Sequence, residues 1–254
     1  MLKERELQYA GILVPQNPLY GGSQTPNHFR FLSNMQTGDT IIHDKQSAVN
    51  YDEQARRTEW FGSEVVFGLA YEFVKPGESL LDLGIGSGLS SIPFHKAGLR
   101  IYGLDGSDDV LQVCAAKGFA VELKCHDLRE LPLPYASGFC NHIICVAVLN
   151  SFPYLDGLFK EAARIIQKQG VFAFTVENLQ PDQEESYPIN RVEVSEKARL
   201  ETSVRLYRHR DEYIRQILDV NGFELLKALE FVAFKYPAEN RNVYFKGYVA
   251  LKSS

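Results

Sequence analysis

The stretch Ser79-Leu80-Leu81-Asp82-Leu83-Gly84-Ile85-Gly86-Ser87-Gly88 decides the fold. Its apolar opening reads as a strand, and the three alternating glycines carry the chain through a tight turn into a helix expected over Leu89–Gly98. Pro93 is tolerated there because it lies near the first turn. Strand, glycine turn and helix together bring backbone close to a ligand, with the helix N-terminus directed at it. A dinucleotide fingerprint, G-x-G-x-x-G, needs its third glycine at position 89, and Leu89 stands there instead. The acidic residue two positions before the first glycine suits a ligand that carries a cation better than one that carries a pyrophosphate.

Working outward, SEVVFGLAYEFVKPG (63–77) is helical, with Val65, Val66, Leu69, Ala70 and Phe73 at helix spacing until Lys75-Pro76-Gly77 stops the run. Downstream, RIYGLD (100–105), AVELKCHD (120–127), NHIICVAV (141–148) and VFAFTVE (171–177) read as strands. Between them lie a helix capped by Ser107, with Asp108 and Asp109 in its first turn, and a helix over Leu155–Gln169 with Leu158, Phe159, Ala162, Ile165 and Ile166 inward. Such alternation calls for a mostly parallel sheet with helices on both faces. It stops after Glu177. Residues 178–208 are polar and weakly periodic and read as an insertion; a helix over Asp211–Val220 ends at Asn221-Gly222. FELLKALEFVAF (223–234) and VYFKGYVAL (243–251) have no helix between them, so they form an antiparallel pair. The expected class is therefore α/β: a Rossmann-like, doubly wound, mostly parallel seven-stranded sheet with an antiparallel C-terminal edge pair. Residues 1–47, with Pro15, Pro18, Pro26 and Gly21-Gly22, form an irregular N-terminal arm, and 48–254 form the main domain.

Composition narrows the function. The 254 residues carry 27 Lys+Arg against 32 Asp+Glu, a net charge of -5, with no basic run to collect phosphates or anionic lipid. The segment 178–210 holds six acidic and six basic residues, so no nucleic acid is expected as acceptor. No stretch approaches the roughly 20 apolar residues of a membrane span, and the opening MLKERELQYAG lacks the apolar core of a secretory signal. Cys114, Cys125, Cys140 and Cys145 contain no CxxC pair and are expected to be reduced, buried small hydrophobes in a reducing cytoplasm.

The order of segments resembles the class I S-adenosylmethionine-dependent methyltransferases, in particular the small-molecule enzymes of the type 11/25 kind, from about Tyr51 to Glu177 and more weakly beyond. Their first motif, D-x-G-x-G-x-G, matches Asp82, Gly84, Gly86 and Gly88 without a gap. The acidic residue that ends their second strand matches Asp105, followed by Gly106 and Ser107, and implies a carboxylate on the ribose hydroxyls. His126-Asp127-Leu128 matches the segment that holds the adenine, through Asp127 and the Leu128 backbone. Cys145-Val146-Ala147-Val148-Leu149-Asn150 matches the strand end along the methionine part, with Cys145, Val146 and Leu149 as contacts, and Tyr51 matches a tyrosine that covers the cofactor. The implied cofactor is S-adenosyl-L-methionine, with S-adenosyl-L-homocysteine as product. The implied reaction is methyl transfer to a small-molecule acceptor, with the arm and the 178–208 insertion on the substrate side. Two positions depart from the family pattern: Cys140 where an Asp commonly starts the fourth strand, and Asn150-Ser151 where many members carry His. The second touches the acceptor side.

Methyl transfer from a sulfonium is an in-line displacement, so alignment and desolvation carry most of it. His209 is the candidate base, Asn150 is nearest the expected methyl position, and Tyr207 and Tyr187 are candidates to line the acceptor. His126 and His142 lie on expected strands and read as satisfied structural histidines. A catechol-type metal site needs carboxylates where Cys145, Val146 and Ala147 stand, so no metal is expected. Two alternatives remain open at this point: a non-catalytic module that binds the same cofactor, and a nicotinamide-dependent oxidoreductase, which Leu89 disfavours. Neither the oligomeric state nor the methylated atom is legible.

Overall fold

The computed structural model describes residues 52, 53, 55, 60–194, 199–236 and 241–253. The arm 1–47 and Tyr51 lie outside the described residues. Seven strands form one sheet: β1 (Ser79–Leu83), β2 (Arg100–Asp105), β3 (Ala120–Cys125), β4 (His142–Cys145), β5 (Val171–Glu177), β8 (Phe223–Tyr236) and β9 (Arg241–Lys252). Their order is β3-β2-β1-β4-β5-β9-β8. The first five are parallel, and β9 runs antiparallel to both β5 and β8.

Period-2 alternation assigns the two faces. Leu80, Ile101, Ile144, Ala173 and Val249 point to one side, where α1 (Gly62–Ala70), α2 (Ile92–Lys96) and α3 (Asp108–Ala116) cover them with Val66, Ala70, Phe94, Leu111 and Cys114. Leu81, Leu104, Ile143, Phe172, Phe174 and Tyr248 point to the other, beneath α4 (Asp156–Ile165) and α5 (Asp211–Val220). Every residue of β1, β4 and β5 is buried, which is why these strands read as continuous apolar runs. Phe159 of α4 stands edge-on to Phe172 and Phe174, with centroids 5.2 and 5.1 Å away. Ser107 caps α3, its Oγ accepting from Val110 N–H at 3.4 Å.

Three elements differ from the sequence reading. The helix after the glycines is a single short turn, α2, because Gly88 at φ +88 keeps the chain in a turn until Ser91. The fourth strand stops at Cys145, since Ala147 takes a left-handed φ of 59 and its N–H donates to the Thr175 side chain of β5 (Oγ1, 2.9 Å) instead of to a backbone carbonyl of that strand. The insertion contains a hairpin of β6 (Ser186–Val194) and β7 (Arg199–Tyr207), a separate two-stranded sheet in register from Ser186↔Tyr207 to Val194↔Arg199. One cysteine also departs: Cys114, Cys140 and Cys145 are buried as expected, but Cys125 is exposed at the end of β3; all four are free. No helix among the described residues is long and apolar enough to cross a membrane.

Strand order sets the site. β1 sends its connection to β2 on one side, while β4 lies parallel to it on the other, so the order in which strands are added reverses between β1 and β4. In open α/β sheets the crevice at the carboxyl ends of such neighbours is where ligands bind.

Candidate active site

At that crevice the glycine turn is built as its spacing demands. Gly84, Gly86 and Gly88 all have positive φ, at 77, 55 and 88. A Cβ on Gly84 meets Val148 Cγ2 at 2.5 Å, so this glycine lets β1 approach the segment after β4. A Cβ on Gly86 meets nothing within 4 Å: the turn faces open space there.

Two carboxylates support this turn. Asp82, 1 % exposed, accepts from Ser91 Oγ at 2.7 Å. Burial pushes its carboxyl up to about 7, against the Ser91 bond and helped by the charge of Asp105. Asp105, at the end of β2, accepts from Gly86 N–H (2.9 Å) and Ser107 N–H (3.0 Å), and its carboxyl too is raised, by burial. Among the described residues neither carboxylate forms an ion pair. An acid withdrawn from water without a counter-ion is expensive to ionise, so buried Asp82 and half-buried Asp105 beside an open turn make a place suited to a cationic ligand.

The other sequence candidates fall around this crevice. Gly106 is exposed, with Asp127 Cα 3.9 Å from where its Cβ would be. Leu128 is buried, but the Asp127 carboxylate is already held by its own chain, from Arg129 N–H (2.9 Å), Nε (3.0 Å) and Nη2 (2.7 Å). Past β4, Val146 and Leu149 are buried, and Leu149–Ser151 forms a 3-10 turn. Asn150 sits in it at 1 % exposure, and both amide atoms, Oδ1 and Nδ2, lack a hydrogen-bond partner among the described residues. A buried amide left unpaired costs about 1–3 kcal/mol, which makes Asn150 a candidate to bind a ligand or water.

His209 and Asn150 are brought together through that turn: His209 Nε2 lies 3.2 Å from Leu149 O. The imidazole is buried, which lowers its pKa and keeps it neutral, so Nε2 donates to the carbonyl. Tyr207, half-buried at the end of β7, lines a neighbouring cleft. Tyr187 does something else: its hydroxyl donates to Glu177 Oε2 at 2.7 Å. Glu177, at the end of β5, also accepts from Arg208 Nε (2.9 Å), and the Arg208 guanidinium lies 4.0 Å from the Tyr187 ring. This buried pair fastens the hairpin to the sheet. The two strand histidines are satisfied, His142 by Glu78 and the Val171 N–H, and His126 by Glu130 O.

Sequence reasoning missed Asp52. Its carboxylate accepts from Ser87 Oγ at 2.5 Å and pairs with Lys117, bringing the segment before α1 over the glycine turn. The Tyr51-Asp52-Glu53 run at a helix start was the available signal.

Residues 81–174 match the family model described as Methyltransferase domain. The search of curated proteins returns no match. Solved structures with the same fold include a putative methyltransferase from Haloferax volcanii, in complex with the Trm112 methyltransferase activator (14% identity, 83% of this chain and 96% of that chain, TM-score 0.62). A SAM-dependent methyltransferase from Methanosarcina mazei aligns over 73% of this chain and 97% of its own, at 14% identity and TM-score 0.58. Magnesium protoporphyrin IX methyltransferase from Synechocystis, with bound SAH, aligns over 81% and 87%, at 19% identity and TM-score 0.56. Residues 81–174 thus resemble a methyltransferase domain, and the chain shares its fold with solved structures described as SAM-dependent methyltransferases.

Proposed function

We propose that this chain transfers the methyl group of S-adenosylmethionine to a small-molecule acceptor. The observation that carries the reading is a pair of carboxylates with no ion pair among the described residues, buried Asp82 and half-buried Asp105, beside a glycine turn that faces open space. The cofactor supplies an electrophilic methyl on a sulfonium and a second cation in its amino group, which fits an acidic, backbone-lined crevice.

In this reading Gly84, Gly86 and Gly88, with Asp82, receive the methionine end; Asp105, Gly106 and Ser107 hold the ribose; Asp127 and Leu128 face the adenine; Cys145, Val146 and Leu149 form the wall behind. Tyr51 is assigned the covering role, next to Asp52 at the turn.

Asn150 is assigned to the acceptor, because its amide offers one donor edge and one acceptor edge that no described residue takes. His209 works through the Leu149 carbonyl, holding the turn that presents Asn150, and its neutral imidazole is the nearest group able to take a proton if the acceptor must lose one. Tyr207 borders the acceptor. Alignment and exclusion of water supply the larger part of the rate, up to about 7–11 kcal/mol for well-oriented partners.

Calorimetric titration of the full chain with S-adenosylhomocysteine tests the binding half. Saturable heat at a one-to-one ratio is expected, and heats of dilution alone would overturn it. Transfer of labelled methyl into the small-molecule fraction of a cell extract tests the other half; label appearing only in protein or nucleic acid would refute the small acceptor.

A further inference from the structure

Beside the 149–151 turn is a second cleft of about 450 Å³, within the roughly 300–1,000 Å³ usual for small-ligand sites. Its floor and sides are apolar and aromatic, from Leu128, Phe152, Tyr154 and Tyr207, and two guanidiniums, Arg129 and Arg205, stand among the lining residues. No Asp or Glu lines it. The two cations are not equivalent. Arg129 is neutralised by Asp127, which it grips through Nε and Nη2. Arg205 donates from Nη1 to Ser186 Oγ (2.9 Å) and, among the described residues, faces no carboxylate. The cleft therefore has one uncompensated, exposed guanidinium fork above flat apolar walls.

From this we infer that the cleft is the acceptor's anion subsite: it takes a small molecule whose carboxylate or phosphate pairs with Arg205 and whose flat, apolar body lies against Tyr154, Phe152 and Tyr207. Guanidinium meets either oxyanion through two parallel hydrogen bonds, and aromatic walls favour a flat partner. The inference rests on the proposed methyltransferase reading for its location. Ser151 and Phe152 directly follow Asn150 in the chain, and Tyr207 precedes His209 by two residues, so the cleft shares two walls with the assigned reaction site. The Arg205 guanidinium is a side chain that a purely apolar acceptor would leave without use.

The test titrates the full chain, with and without saturating S-adenosylhomocysteine, using three probes of one shape: 4-hydroxybenzoate, phenyl phosphate and neutral 4-hydroxybenzamide, followed by ligand-observed NMR. The acids are expected to bind at least about tenfold more tightly than the amide, a difference of about 1.4 kcal/mol. The better acid identifies the oxyanion. Arg205→Gln should abolish that preference and leave the amide unchanged, while Tyr154→Ala, at a position 80 % exposed, should weaken all three probes. Equal binding of acids and amide, no binding of any probe up to about 10 mM, or an acid preference that survives Arg205→Gln each overturns the inference. If S-adenosylhomocysteine gives no heat while the acids still bind through Arg205, the anion site stands and the methyltransferase reading falls; the reverse pattern sinks the anion site alone.

Discussion

Asp82→Asn should make this protein more stable and less able to bind S-adenosylhomocysteine, the product form of its proposed cofactor. In the fold the Asp82 carboxyl sits at about 7 against an ordinary value of 3.8, because burial outweighs the single bond from Ser91. The folded chain then holds a proton that the unfolded chain has released, so stability is full below pH 4 and is lost as pH rises toward 7. At 1.36 kcal/mol per tenfold change, ionising this group costs at most about 4 kcal/mol by pH 8. Asparagine carries no charge, and its Oδ1 can still accept from Ser91 Oγ. The stability gap between variant and wild type should therefore widen by about 3 kcal/mol between pH 5 and pH 8. Urea unfolding at several pH values reads this directly, with the wild type as control for every other titrating group. Added S-adenosylhomocysteine, whose amino group is a cation, should reverse the order: at 100 times Kd a ligand stabilises by about 2.7 kcal/mol, and the variant should gain less. A gap that does not change with pH, or a variant less stable throughout, would refute the account of Asp82 as a buried acid awaiting a cation.

Three further outcomes follow from the same geometry. Gly84→Ala should lower both melting temperature and cofactor affinity, because its Cβ collides with Val148, whereas Gly86→Ala should cost only the backbone strain of about 1–2 kcal/mol in a melting curve and chiefly weaken S-adenosylhomocysteine in calorimetry. Arg208→Leu leaves Glu177 buried without its partner and should cost about 3–5 kcal/mol in urea unfolding, with faster proteolysis within 186–207; removing both partners at once should cost less than the sum of the single changes. Asp211 is held down to about 2: burial opposes this, but bonds from Lys246, Arg215 and Tyr248 prevail, so its contribution is present above pH 4 and lost as pH falls toward 2. Asp211→Asn should flatten the acid limb of the stability curve in that window.

The parallel sheet was legible because β1, β4 and β5 are buried on both faces and the helices are amphipathic, so periodicity and the Gly84–Gly88 spacing were enough to order them. The β6–β7 hairpin was not. It pairs only with itself, and residues such as Arg191, Glu193 and Glu201 break the apolar alternation that marks a strand packed on a core. Asp105 and Asp82 could be placed by spacing, but the sequence could not say that they lack counter-ions. Asp127 and Tyr187 were read as groups directed at ligands, yet their polar atoms already serve Arg129 and Glu177, through contacts that no spacing rule encodes. Asn150 was found for its position, and its value lies in what surrounds it: two unpaired amide atoms are visible only in three dimensions.

The hairpin's independence from the main ladder bears on how such a chain can diversify. Its two strands hydrogen-bond to each other and not to the seven, and they are moored through Glu177, Arg208 and Tyr187. Grafting a hairpin of different length or lining onto the same mooring would therefore leave the sheet's pairing scheme untouched and, in the proposed reading, exchange which acceptors the chain takes.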